Sequence, residues 1–140
     1  MHRDLKPENI MLEENKHFDS IKIIDFGTSV QFKPNEHIHE RLGTPYYIAP
    51  EVLNGDYGPK ADIWSTGVIV YIMMTGCPPF NGEDDDAIME RIKTGKFKFH
   101  ASQWKGMTKE SQEFISHLLV KDPAKRPTAE EALQHPWLDH

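Results

Sequence analysis

The order of apolar and polar positions divides the chain into an extended first third and a helical remainder. Ile10-Met11-Leu12 and Ile21-Lys22-Ile23-Ile24 are short β-favouring runs separated by the polar segment Glu13 to Ser20, which predicts a small hairpin. Between Thr28 and Pro50 no period is sustained, with Pro34, Gly43 and Pro45 as punctuation, and a loop of that length is usually functional. From Asp62 to Met74 apolar residues occupy nearly every side of a helical projection, which predicts a helix buried all round rather than one with a single apolar stripe. Ala87, Ile88, Arg91 and Ile92 predict a more amphipathic helix ending at Gly95, and Phe114, Ile115, Leu118 and Leu119 another after Thr108. Thr128 with Glu131 three residues later fits a capping box that opens a last helix, stopping before Pro136. The expected fold class is mainly α: helices around one buried central helix, with a small β-hairpin at the start.

Composition narrows the function classes. The 140 residues carry 16 Lys plus Arg against 22 Asp plus Glu, a net charge of −6, and 38% hydrophobic residues, which suits one globular domain or part of one. The longest apolar run, Gly67 to Met74, is far short of the roughly 18 residues that span a bilayer, and His2-Arg3-Asp4 after Met1 is not a signal core. No membrane segment is expected. The acidic balance and the lack of a basic stripe argue against nucleic acid as a partner. Cys77 has no second cysteine to pair with, and a reducing cytoplasmic or nuclear home is the default. The run Glu83-Asp84-Asp85-Asp86 lacks the glycine and spaced glutamate of a calcium loop and reads as a solvated helix start.

The candidate chemistry is concentrated before residue 52. Phosphoryl transfer spreads charge over the moving phosphate, so its site needs metal-binding oxygens, a group that orients the attacking hydroxyl, and a cation near the phosphates. The opening His2-Arg3-Asp4-Leu5-Lys6-Pro7-Glu8-Asn9, then Asp25-Phe26-Gly27 after a strand, then Ala49-Pro50-Glu51 after the long loop supply these groups. In that order they resemble the C-terminal lobe of a serine/threonine protein kinase catalytic domain. The resemblance implies that Asp4 orients the substrate hydroxyl and accepts its proton. It implies that Asn9 and Asp25 hold magnesium for ATP, and that Lys6 steadies the transferred phosphate. Glu8 is counted with Asn9 and Asp25 among the expected cofactor-binding positions, and is the expected reader of a basic residue near the target. The Thr44 hydroxyl is expected to contact Asp4 and Lys6, which favours Ser/Thr over Tyr substrates, and Gly27 permits the turn after the metal ligand.

Other positions match the family scaffold. The resemblance makes His2 a packed, hydrogen-bonded residue, and Phe26 belongs to the Asp-Phe-Gly motif. It pairs Glu51 with Arg126 in a buried ion pair, and gives Asp62 the hydrogen bonds of the catalytic-loop backbone, with an ordinary helix N-cap as the alternative. His37 and His39 lack metal-ligand spacing and read as solvated surface. Glu40, four residues before Thr44, stands where many kinases carry a phosphorylated threonine. A permanent carboxylate there pairs with Arg3 and orders the loop, unless it is simply a solvated neighbour of Arg41. Thr28 after Asp25-Phe26-Gly27 leans toward threonine acceptors.

The segment Glu40 to Glu51, the close Glu130 to Trp137, and Ile72 in place of the glutamate of cyclic-nucleotide-regulated kinases are similar to calcium-dependent protein kinases. A calcium-sensor module elsewhere in the full protein is therefore an expected partner, beside protein substrates with Ser or Thr near basic residues. The resemblance covers all 140 residues but about half of a kinase domain. The glycine-rich loop, the lysine of the α and β phosphates and its glutamate precede Met1 in the family, so residues 1–140 alone are expected to be inactive. The alternative is a non-catalytic lobe that binds substrates or a partner. Ile63, Trp64, Val68, Ile69, Tyr71, Ile72 and Met73 point in all directions, and the family covers them partly with a helix upstream of Met1. A wet apolar patch on this helix, with self-association, is the corresponding expectation.

Overall fold

The computed structural model describes residues 1–12, 20–33 and 36–139. The expected connection at 13–19 and the expected punctuation at Pro34 lie outside them. Among the described residues the secondary structure is five α-helices, three short 3₁₀ turns and one two-stranded sheet. Strands β1 (Ile10–Leu12) and β2 (Ile21–Ile23) pair antiparallel, with Ile10 opposite Ile23 and Leu12 opposite Ile21. Ile24 lies one residue beyond the strand, where its amide bonds the Asn9 carbonyl at 2.9 Å.

The helices are α1 (Pro50–Asn54), α2 (Lys60–Thr75), α3 (Asp85–Thr94), α4 (Lys109–Leu118) and α5 (Ala129–Ala132). Caps define them. Asp84 accepts the Ala87 amide at 2.8 Å, so the acidic run opens a helix. Thr108 accepts the Ser111 amide at 3.2 Å, and Thr128 and Glu131 exchange both bonds of a capping box. α1, with Pro50 at its first position, is a short element that no periodicity announced.

The core forms around α2. Trp64 and Val68 have no exposed surface, and Trp64 stacks on Phe80 at 5.4 Å between centroids. Gly67 lets α4 approach: a methyl there would lie 2.9 Å from Leu118 Cβ and from Leu119 Cδ2, closer than atoms pack. On another side Ile63 and Val70 pack against Phe114, Leu118 and Ala132. The apolar patch expected on α2 is narrower than its composition suggests: Trp64, Val68, Ile69 and Tyr71 are buried, Ile63, Ile72 and Met74 are partly buried, and Met73 is 77% exposed. A larger exposed apolar surface lies on the hairpin and just after it, at Met11, Leu12, Ile21, Ile23, Ile24 and Phe26. A two-stranded sheet has no second layer here to bury either face. No helix among the described residues is long and apolar enough to cross a membrane.

Candidate active site

One carboxylate holds two consecutive amides of the opening loop. Asp62, in the first turn of α2, accepts the His2 amide at 2.7 Å and the Arg3 amide at 2.9 Å. It is not the N-cap of its helix, a place taken by Pro59. Arg3 sits at φ 74°, in the left-handed region that costs a residue with a side chain of order 1 kcal/mol or more. Two amides bonding one partly buried carboxylate offset that cost and turn the chain toward Asp4.

Asp4 lies in a closed triangle. The Thr44 hydroxyl donates to Asp4 Oδ1 at 2.9 Å, Lys6 Nζ donates to Thr44 Oγ1 at 2.9 Å, and Lys6 Nζ lies 3.0 Å from Asp4 Oδ2. The Asp4 hydrogen bond holds the Lys6 ammonium above its ordinary range, against a smaller opposing effect of burial. Thr44 opens a 3₁₀ turn, Pro45–Tyr47, inside the segment expected as an unbroken loop. Gly43 precedes it at φ 123°, where a Cβ would press on Ile48 Cγ1 at 3.1 Å and on the Arg3 carbonyl at 3.3 Å. Thus the residue before Thr44 must be small for the loop to rest against the Arg3 backbone.

Asn9 ends the 3₁₀ turn Pro7–Asn9 and is buried. Its side-chain amide donates to the Asp4 carbonyl at 2.9 Å, which leaves its Oδ1 free to accept. Asp25 also has a left-handed backbone, φ 60°, and one of its oxygens accepts the Gly27 amide at 3.3 Å. The site therefore presents an amide oxygen and a carboxylate oxygen, hard donors suited to magnesium, which takes one or two protein ligands and completes its shell from phosphates and water. Glu8 is exposed at the rim of this group, and Phe26 is 63% exposed beside the His2 ring, at 5.3 Å between centroids. His2 is buried: Nε2 donates to the Ile24 carbonyl at 3.0 Å while Nδ1 accepts the Asp4 amide at 3.3 Å. A neutral ring with its proton on Nε2 satisfies both bonds.

The long loop is fastened at several points. The Arg3 guanidinium donates to the Thr28 carbonyl and, at 2.7 Å, to Glu40 Oε2. Burial opposes the Arg3 charge, but the Glu40 bond and the nearby Tyr57 hydroxyl outweigh it and hold the group above its ordinary range. That hydroxyl is buried and makes no hydrogen bond of ordinary geometry. Ile38 and Tyr57 exchange backbone bonds of 2.9 and 3.2 Å. On either side of this bridge His37 Nδ1 meets Asp56 Oδ1 at 2.5 Å and His39 Nδ1 meets the Gly55 carbonyl at 2.8 Å. The two histidines are exposed, as expected, yet they are loop fasteners rather than free surface groups. Nothing local in the sequence could show this, because their partners lie 19 and 16 positions away. The bonds from the Thr28 and Ser29 hydroxyls to the His2 carbonyl were hidden from the sequence for the same reason.

Glu51, in the first turn of α1, meets Arg126 through Nη1–Oε1 at 2.5 Å and Nη2–Oε2 at 3.0 Å. The remaining Arg126 donors reach the carbonyls of Val120, Lys60 and Lys121, so all five are used. The guanidinium also lies 5.1 Å from the centroid of the Trp64 ring.

Residues 1–138 match the family model described as the protein kinase domain. The chain belongs to the protein kinase family. It is 48% identical over 139 residues to calcium-dependent protein kinase 4 of Plasmodium berghei, covering 99% of this chain and 26% of that protein. It is 46% identical over 140 residues to calcium-dependent protein kinase 9 of Oryza sativa subsp. japonica, covering 100% of this chain and 24% of that one. With calcium-dependent protein kinase 1 of Arabidopsis thaliana it shares 48% identity over 139 residues, 99% of this chain and 23% of the relative. The kinase segment thus spans about a quarter of the length of the curated relatives it matches.

Proposed function

We propose that residues 1–140 form the catalytic and substrate-docking lobe of a calcium-regulated serine/threonine protein kinase, which transfers the ATP γ-phosphoryl group to protein substrates. The observation that carries this reading is the Asp4–Lys6–Thr44 triangle. The Asp4 carboxylate is held where an incoming hydroxyl can hydrogen-bond to it, and its contact with Lys6 puts a positive charge beside the group being transferred. Asp4 orients the incoming hydroxyl and takes its proton at a carboxylate oxygen. Lys6, held by both Asp4 and Thr44, offsets charge on the phosphate oxygens without reorganising. Thr44 fixes the spacing of the pair.

Asn9 and Asp25 would hold magnesium through the oxygens their own hydrogen bonds leave free. Bound there, Mg-ATP supplies the activated phosphoryl group and neutralises charge as it develops. Glu8, exposed near Lys6, reads a basic residue of the substrate, and the Glu40 carboxylate on Arg3 does the ordering that a phosphate does in regulated relatives. The calcium-sensor module lies elsewhere in the full protein, as the names of the relatives suggest.

The test is a chimaera in which residues 1–140 replace the matching segment of a calcium-dependent protein kinase. It should phosphorylate a basic Ser/Thr peptide with ATP, and Asp4→Asn or Asp25→Ala should each lower kcat by roughly 100-fold or more. An Asp4→Asn chimaera that keeps its kcat would overturn the assignment.

A further inference from the structure

In the segment after α3, exposed and partly buried side chains alternate strictly from Lys96 to His100, the pattern of an extended chain. Phe97 and Phe99 turn inward, where they pack edge-to-face at 5.3 Å, and Phe99 meets Trp104 at 4.7 Å. Lys96, Lys98 and His100 turn outward and are exposed. The Tyr71 hydroxyl fixes this arrangement by donating to the Lys98 carbonyl at 2.8 Å. Between the segment and Pro78–Asn81 lies a groove of about 400 Å³, whose α3 side carries Arg91, hydrogen-bonded to Asn81 Oδ1 at 2.5 Å. No carboxylate lines it among the described residues, in a chain that carries 22 acidic side chains against 16 basic ones.

The geometry points to this groove as a docking site for an extended acidic segment of a protein partner. Outward side chains two residues apart on an extended strand stand about 6.6–6.8 Å apart, which is also the spacing of alternate side chains on an extended peptide. Lys96, Lys98 and His100 therefore match Asp or Glu at every second position, and Arg91 adds a planar fork for one carboxylate. Nucleic acid is the poorer occupant: three or four charges cannot follow a phosphate backbone, and the net charge of −6 repels its remainder. The site shares no residue with the Asp4 cluster, so it is independent of the proposed catalytic role.

The experiment is fluorescence anisotropy of residues 1–140 with a short labelled peptide alternating Asp and Val. Saturable binding should weaken about tenfold in the Lys96→Glu/Lys98→Glu double variant, and again on raising salt from about 0.05 to 0.2 M. Lys93→Glu lies on α3 but lines no part of the groove, and should leave affinity within about twofold. All these substitutions are of exposed side chains, and unchanged melting curves would show that the fold is kept. Lys98→Met gives a second readout with no reversed charge and should weaken binding less than the double variant. Absence of saturable binding overturns the proposal, as does an equal loss in Lys93→Glu. So does an oligothymidylate of equal charge that binds as tightly as the peptide and loses affinity to the same substitutions.

Discussion

Glu51 and Arg126 are 75 positions apart in sequence and share a bidentate ion pair in which the arginine side chain has no exposed surface. The pair joins the end of the long loop to the segment before α5, and every guanidinium proton has an acceptor. Removing one partner leaves the other charge buried alone, which typically costs about 3–5 kcal/mol. Arg126→Ala and Glu51→Ala should each lower stability by that order, read as a reduced urea midpoint. Arg126→Lys should recover only part of the loss, since an ammonium cannot make five bonds in the same plane. A lysine variant as stable as the parent would refute this account.

Asp62 provides a separate test. Its two oxygens hold consecutive amides across the left-handed Arg3, so Asp62→Asn keeps one acceptor and Asp62→Ala keeps none. In the chimaera, kcat should fall in the order parent, Asn, Ala, by roughly tenfold or more for Ala, while KM for ATP changes less. Arg3→Gly should cost less stability in the Ala background than in the parent, a relative rescue that arises because glycine adopts the left-handed backbone at no steric cost while the lost Thr28 and Glu40 contacts are common to both backgrounds. Failure of that rescue in melting experiments would show that strain at Arg3 is not what Asp62 offsets.

Glu40 is 70% exposed while its partner Arg3 is nearly buried, so solvent screens the pair on one side only. Glu40→Ala should cut the chimaera's activity several-fold without abolishing it, and Glu40→Lys should cut it further by like-charge repulsion. Full activity in Glu40→Ala would remove the ordering role assigned to this carboxylate.

Three groups give the alkaline limb of stability one sign. The Asp4 hydrogen bond raises Lys6 above its ordinary 10.5, and burial raises the Tyr47 and Tyr71 hydroxyls above their ordinary 10.0. In each case the folded state keeps its proton longer than the unfolded chain does. Their stabilising contribution is fully present below about pH 10 and is lost as pH rises through the folded-state values. Melting temperature should fall steadily above about pH 10. The Tyr47→Phe/Tyr71→Phe variant should show a shallower fall, and an equally steep one would contradict the burial effect.

The sequence made some of this legible and hid the rest for physical reasons. Thr108, Thr128 and Glu131 announced helix starts because capping is a matter of three or four neighbouring residues. Asp4, Lys6 and Asn9 were readable as candidates because they stand close together in one short segment of the chain. The circumference of α2 was legible as apolar, but which neighbours cover it was not. Trp64, Ile63 and Val70 find Phe80, Phe114 and Leu118 from segments far along the chain, which narrows the patch on α2 to its Ile72–Met74 end, while the larger exposed apolar surface is on the hairpin. The fastening of the long loop depends on residues such as Tyr57 and Asp56, which no local pattern connects to Ile38 and His37.

That fastening changes what the loop is. Ile38 is pinned to Tyr57, Glu40 to Arg3 and Thr44 to Asp4, so from Ile38 onward no long span moves freely between attachments. Loop-closure entropy grows with the logarithm of free length, and each attachment makes the next cheaper to form. Detaching one of them returns freedom to its neighbours as well. A modest change at a single contact, such as Arg3 with Glu40, is therefore felt at Thr44 as a change in how often the hydroxyl is in place, with no need for a new conformation of the loop.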